Sequence, residues 1–224
     1  MAAVTLDPLD LAALLCSRVC HDVISPVGAI VNGLEVLEED DLGMRDFALD
    51  LIRKSAGQAS ARLQFARLAF GAAGSAGASI DLGDAEQVAR GMFTEEKTTL
   101  AWSAPRALLP KNKVKLLLNL IVIATHAIPR GGVIDVAVTG VVPMGDTAGA
   151  EFVLKAKGQN ARVPALVEEL LAGAPESGTV DAHAIQAYYA GMVARAAAMQ
   201  VALSIEGDEV TIRATPAEAA ASAA

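Results

Sequence analysis

Apolar residues recur at steps of three and four through Leu11, Leu15, Val19, Val23, Val27, Ile30, Leu34 and Leu37, which marks one stripe along a helix. Asp7-Pro8 supplies its entry, with Asp7 as N-cap and Pro8 at the first helical position. The pattern runs to about Glu39, which predicts a helix on the order of 45–50 Å long. The acids Glu38, Glu39, Asp40 and Asp41, followed by Gly43, end it, because negative charge at a helix C-terminus opposes the macrodipole. A second helical pattern follows through Phe47, Leu51, Ile52, Ala56, Ala59, Leu63, Ala66 and Phe70, and closes on the small-residue linker Gly71 to Gly77. The short link at Gly43 predicts an antiparallel helical hairpin. Two long helices cannot cover both stripes by themselves. Two hairpins can, as a four-helix bundle, and this predicts a homodimer.

After the linker the period changes. Ser79 to Leu82 and Leu100 to Trp102 read as short strands around a helix at about residues 83–96. Pro110 to Ile128 reads as a buried helix, Gly131-Gly132 as a turn, and Val133 to Val138 and Glu151 to Lys155 as strands. Val163 to Leu171 and Ala182 to Gln200 read as helices, and Val201 to Glu206 and Glu209 to Arg213 as a hairpin through Gly207-Asp208. Mixed helices and adjacent antiparallel strands predict an α+β sandwich, with helices on one face of a sheet. The expected organisation is a helical hairpin dimerisation domain at residues 1–72, an α+β domain at 78–215 and a frayed tail at 216–224.

Composition narrows the function classes. The 224 residues carry 18 Lys+Arg against 26 Asp+Glu, a formal net charge of −8, with no basic cluster. A nucleic-acid partner is therefore not expected. Hydrophobic residues reach 53%, yet no run attains the roughly 18 uninterrupted apolar residues of a membrane span. The N-terminus lacks a basic region before its apolar residues, so neither a signal peptide nor a membrane association is expected. The apolar surplus fits a subunit interface. Cys16 and Cys20 stand one helical turn apart, where Cβ directions rarely suit a bridge, which favours a reducing cytoplasm.

The candidate chemistry lies inside the first helix, at His21-Asp22-Val-Ile-Ser25-Pro26. His21 is two positions from both Val19 and Val23, about 200° around the helix, so it should face solvent. Proline inside a helix costs about 3 kcal/mol and removes a hydrogen bond. A local kink beside a functional residue would account for Pro26. A carboxylate at Asp22 can take the proton of one ring nitrogen and leave the other as a nucleophile. Ser17, Arg18, Ser25, Gly28 and Asn32 lie on the same exposed side, and Gln58, Arg62 and Phe65 of the second helix are expected to flank it. Small residues there would admit a partner helix. His126, inside an apolar helix, and His183 are less promising, Tyr188 and Tyr189 read as packing residues, and three histidines without clustered acids give weak support to a metal site.

This segment resembles the phosphoacceptor motif of histidine kinase dimerisation domains, His-Asp/Glu-x-x-x-Pro. The resemblance implies that His21 is phosphorylated on a ring nitrogen, that Asp22 orients the imidazole and that Pro26 supplies the kink. The second half resembles the kinases' Bergerat-like ATPase domain, but in degenerate form. Leu116 to Ala124 looks like the Asn-Leu-x-x-Asn-Ala box, with Asn119 at its first asparagine and Ile123 at the second, magnesium-holding one. Isoleucine has no atom with which to coordinate a cation. The Asp-x-Gly-x-Gly motif falls on Ala156-Lys-Gly158-Gln-Asn160, and the glycine-rich lid has no counterpart between Gly173 and Gly191.

The whole chain resembles the bacterial ChpT-type histidine phosphotransferases. That implies a dimeric phosphorelay enzyme without nucleotide, metal or other cofactor of its own, the Mg²⁺ coming with the receiver partner. The implied donor is the receiver domain of a hybrid histidine kinase, and the implied acceptors are response regulators of the cell-cycle phosphorelay. An active ATP-dependent histidine kinase and a non-catalytic dimer that sequesters response regulators are the alternatives.

Overall fold

The computed structural model describes residues 3–39, 43–71, 78–93, 97–142, 145 and 147–217. Helix α1 runs from Pro8 to Glu38 and helix α2 from Arg45 to Ala69, packed against each other as a hairpin. The expected cap is present: Asp7 Oδ1 accepts from the Leu9 amide at 2.8 Å. Gly33 makes the close approach possible. A Cβ there would lie 2.7 Å from Ile52 Cγ1 and 3.3 Å from the Ala48 carbonyl oxygen.

The face that α2 turns inward is not the one its larger apolar residues mark. Ala48, Ser55, Ala59, Phe65 and Ala69 are buried, while Phe47 and Leu63 are exposed. Small side chains let two backbones approach closely, so they took the seam. Leu49 and Leu63, both exposed, lie on nearly the same side of α2. By length and composition α1 is apolar enough to cross a membrane, but in the hairpin its Arg18 and Asp22 are half-buried and paired.

The chain then forms β1 (Ser79–Asp81), α3 (Leu82–Met92), β2 (Thr98–Ser103), β3 (Leu108–Pro110) and α4 (Lys111–Ala127). There follow β4 (Gly132–Thr139), β5 (Glu151–Lys157), α5 (Val167–Ala172), α6 (Ile185–Ala196), β6 (Met199–Glu206) and β7 (Glu209–Pro216). The main sheet has the order β2-β4-β5-β7-β6, and β1 pairs with β3 in a separate two-stranded sheet. Alternate residues of three strands (Ile134, Val136 and Val138; Phe152, Leu154 and Ala156; Val210, Ile212 and Ala214) enter one core with α4, whose residues 113–124 are all buried. This is the expected hairpin followed by an α+β sandwich.

Four local expectations are corrected. Strand β2 pairs with β4 in parallel, so the sheet is mixed; the intervening chain through α4 makes the crossover that parallel pairing requires. Strand β3 has three residues, too short for an alternating pattern to show. Helix α6 stops at Ala196 because Ala198 takes a left-handed φ of 52°, and β6 begins at Met199. Helix α5 starts at Val167 instead of Val163, after Leu166 at φ 61°. The expected linker falls mostly, and the tail mostly, outside the described residues.

The hairpin is fastened to the sandwich at the end of α2. The last carbonyls of a helix have no partner inside it. Here Asn119 Nδ2 donates to the Ala69 oxygen at 3.2 Å and Lys115 Nζ to the Phe70 oxygen at 3.3 Å. Phe70 meets Tyr189 edge-on, with ring centroids 5.6 Å apart. The N-terminal segment adds a strap: Tyr188 donates to the Val4 carbonyl at 2.8 Å, and Val4 N–H donates to the Gly173 oxygen at 2.8 Å. Asn119, fully buried, also donates to the Lys115 oxygen and accepts from Gln186 Nε2 at 2.5 Å. An Asn119→Leu variant keeps the volume but strips partners from the Ala69 oxygen and the Gln186 amide. At about 1–3 kcal/mol for each buried group left unpaired, the expected loss is roughly 3 kcal/mol, read as a lower midpoint in urea.

Candidate functional site

Helix α1 carries His21 outward: its side chain is 75% exposed, against 31% for Asp22. The imidazole Nδ1 stands 3.6 Å from Asp22 Oδ1, beyond hydrogen-bond length. The carboxylate is instead held from the other side, where Arg18 Nε donates to Oδ2 at 3.1 Å. Arg18, Asp22 and His21 thus form a short chain of charge along one face, with the imidazole at its open end.

The helix continues through Pro26, which is buried. In an α-helix the N–H of residue 26 would bond the carbonyl of residue 22. Proline has no N–H, and the Asp22 carbonyl oxygen accepts instead from Arg62 Nη1 of α2 at 2.6 Å.

Of the residues expected to surround the site, Ser17, Ser25 and Asn32 are exposed. A Cβ on Gly28 would meet nothing within 4 Å, so this stretch of α1 is open to an approaching partner. Gln58 and Arg62 are half-buried. Phe65 is corrected: it is 3% exposed and belongs to the core. It packs into the sandwich core, out of reach of a partner.

One residue of the sandwich stands closer to the site than its sequence position suggests. His126 ends α4, and both Arg18 and Asp22 act electrostatically on its ring. Although His126 is exposed overall, the atoms crowding its ring, and next the Arg18 guanidinium, lower its pKa, while Asp22 pulls the other way. The imidazole is therefore neutral near pH 7. Asn119, Ile123 and His126 follow at steps of four and three, so they share a face of α4. That spacing was the available signal.

The remnants of the nucleotide motifs are arranged as follows. Ile123, His126, Val167, Leu170, His183 and Gln186 line a cavity of about 80 Å³, against roughly 300–1,000 Å³ for pockets that take small molecules. Asn119 is turned to the end of α2. Ala156 is packed in the sheet core. Asn160, at the last glycine of the Asp-x-Gly-x-Gly pattern, keeps a left-handed φ of 61°, which asparagine tolerates better than most side chains. Among the described residues no three His, Cys, Asp or Glu side chains converge as metal ligands.

Comparison with known proteins bears on the chain as a whole. Residues 82–209 match the family "Histidine phosphotransferase C-terminal domain". The chain is 52% identical over 211 residues to protein phosphotransferase ChpT of Brucella abortus (strain 2308), covering 94% of this chain and 98% of the relative. A bacterial phosphotransferase solved at 1.7 Å superposes with a TM-score of 0.85 at 48% identity, covering 96% of this chain and all (100%) of the other. The hairpin, the sandwich and both levels of sequence similarity lead to one conclusion: the chain belongs to the ChpT family of histidine phosphotransferases.

Proposed function

We propose that this chain relays a phosphoryl group between receiver domains through His21 and does so without nucleotide. A ring nitrogen of His21 attacks the phosphorus of an aspartyl phosphate on the receiver of a hybrid histidine kinase. The P–N bond forms, the acyl P–O bond breaks and the receiver's carboxylate leaves. The carboxylate of a response regulator of the cell-cycle phosphorelay then attacks the same phosphorus, and the P–N bond breaks. Both steps need in-line positioning and charge neutralisation more than acid–base work. The receiver brings the Mg²⁺ that screens the phosphate oxygens. This chain supplies a nucleophile on a rigid helix. Asp22 lies within a small side-chain adjustment of Nδ1 and would orient the ring and stabilise its positive charge. Ser17, Ser25, Gly28 and Asn32 would meet the receiver, with Gln58 at the margin.

The observation that carries this reading is the exposed His21 beside Asp22, above an open stretch of α1. The experiment is a comparison of two phosphoryl sources. Incubation with a phosphorylated receiver and no nucleotide should label the chain within minutes, and incubation with ATP and Mg²⁺ alone should not. Labelling by ATP alone would replace the relay with an autokinase.

We further read the chain as a homodimer in a reducing cytoplasm, with the hairpin (residues 1–72) as dimerisation and phosphotransfer unit and residues 78–215 as a degenerate ATPase-like unit. Ile24, Val27, Val31 and Leu34 of α1 and Leu49 and Leu63 of α2 are exposed apolar residues. On α1 they follow the three-four spacing of a helix-packing seam. Gly33 against Ile52 and Arg62 against Asp22 fix the relative level of the two helices, which sets Leu34 opposite Leu49 and Ile24 opposite Ser60. A second hairpin laid on this face would complete a four-helix bundle and leave His21 at its rim.

A further inference from the structure

We propose that Arg62 is a positioning residue for the phosphoacceptor: its guanidinium stands in for the amide hydrogen that Pro26 lacks and holds the turn of α1 that presents His21. This deepens the reading of His21 as the site of transfer and rests on it. Three observations converge on it. Pro26 is the only proline inside α1 among the described residues, four positions beyond Asp22. The carbonyl it leaves without a helical donor is that of Asp22, the residue next to His21. That oxygen is taken at 2.6 Å by a side chain from the other helix of the hairpin. A charged donor to a carbonyl is stronger than the neutral bond it replaces. Proline alone would leave the turn bearing His21 open to water and free to bend. Proline with Arg62 makes a fixed distortion tied across the hairpin. The Asp22 side chain, held by Arg18, and the Asp22 backbone, held by Arg62, then define where the neighbouring imidazole sits. Arg62 thereby acts inside the fold and not as a receiver contact.

The inference predicts that Arg62 matters only while residue 26 is proline. In an alanine-26 chain the amide of residue 26 bonds the Asp22 carbonyl itself, and the guanidinium becomes dispensable. The test is a double-mutant cycle of wild type, Arg62→Ala, Pro26→Ala and the double variant. His21 loading is measured at saturating phosphorylated receiver, alongside the carbonyl ¹³C shift of Asp22. Arg62→Ala should slow loading about ten-fold, the scale of a small misplacement of a reacting group. The KM for the receiver should stay unchanged, and the Asp22 carbonyl resonance should move. In the Pro26→Ala background the same change should slow loading less than about two-fold and leave that resonance in place. An equal loss in both backgrounds, or an Asp22 resonance indifferent to Arg62, would overturn the inference and make Arg62 a phosphate or receiver contact. Failure of wild type to load at all would instead reject the reading of His21.

Discussion

His21→Ala is expected to abolish phosphoryl acceptance from a receiver while leaving the fold at wild-type stability. The ring is 75% exposed and its nearest polar neighbour stands 3.6 Å away, so truncation creates no cavity and leaves no buried group unpaired. Alanine is also a better helix former than histidine, by roughly half a kcal/mol. The midpoint of unfolding should change by no more than a surface substitution does, about 0.5 kcal/mol either way. The loss is chemical: without a ring nitrogen the phosphoryl group has no nucleophile at the place where the receiver presents it. Cys16 and Cys20 are exposed on the same helix, and a Cys16→Ser/Cys20→Ser chain should load as wild type does. Thermal unfolding and label uptake, measured on the same preparations, separate the two effects.

The second large effect is on assembly. Ile24→Glu combined with Val31→Glu should convert a dimer into a monomer, read by sedimentation as a drop from twice the chain mass of 23.0 kDa to once that mass. Both residues are exposed, Ile24 at 68% and Val31 at 49%, so in a lone chain the carboxylates would rest in water at little cost. In a four-helix bundle they would be buried without partners, at several kcal/mol for each charge. The contrast is diagnostic, because the variant should fold and fail only to associate. Wild type sedimenting at the single-chain mass would remove the bundle from the account.

Much of the hairpin could be read before any coordinates. Asp7-Pro8 fixes the start of α1, and the two-residue offset of His21 from Val19 and Val23 predicts its exposure. What the pattern could not give was which residues of α2 face α1. Phe47 and Leu63 are the larger apolar residues, yet Ala48, Ala59 and Ala69 take the seam. Periodicity finds a face, but when apolar residues stand on more than one side of a helix only interhelix distance decides which is turned inward. Phe65 was misplaced because it packs into the sandwich core. Arg62 and His126 illustrate a different limit. Each meets the neighbourhood of Asp22 across a long stretch of chain, 40 residues for Arg62. No local pattern encodes such a meeting, although the missing N–H of Pro26 does announce that the Asp22 carbonyl needs a donor from somewhere. The parallel pairing of β2 with β4 was hidden likewise, since strand direction depends on the crossover and not on either strand's own residues.

In the sandwich, the residues that the sequence aligns with the kinases' nucleotide motifs have structural partners. Asn119 is spent on the end of α2, Ala156 on the sheet core, and Asn160 keeps the turn. Helix α4 ties the sandwich to the hairpin through Asn119 and Lys115. The second half thereby has a structural role: it holds one end of the hairpin.

The most direct measurement is the location of the phosphate itself. The chain is loaded from a phosphorylated receiver in the absence of nucleotide, digested at a pH that preserves acid-labile phosphate, and mapped by mass spectrometry. The account predicts a single added phosphate on His21, removed when an unphosphorylated response regulator is supplied. Phosphate on any other residue, or on His21 in a form that a response regulator cannot discharge, would contradict it.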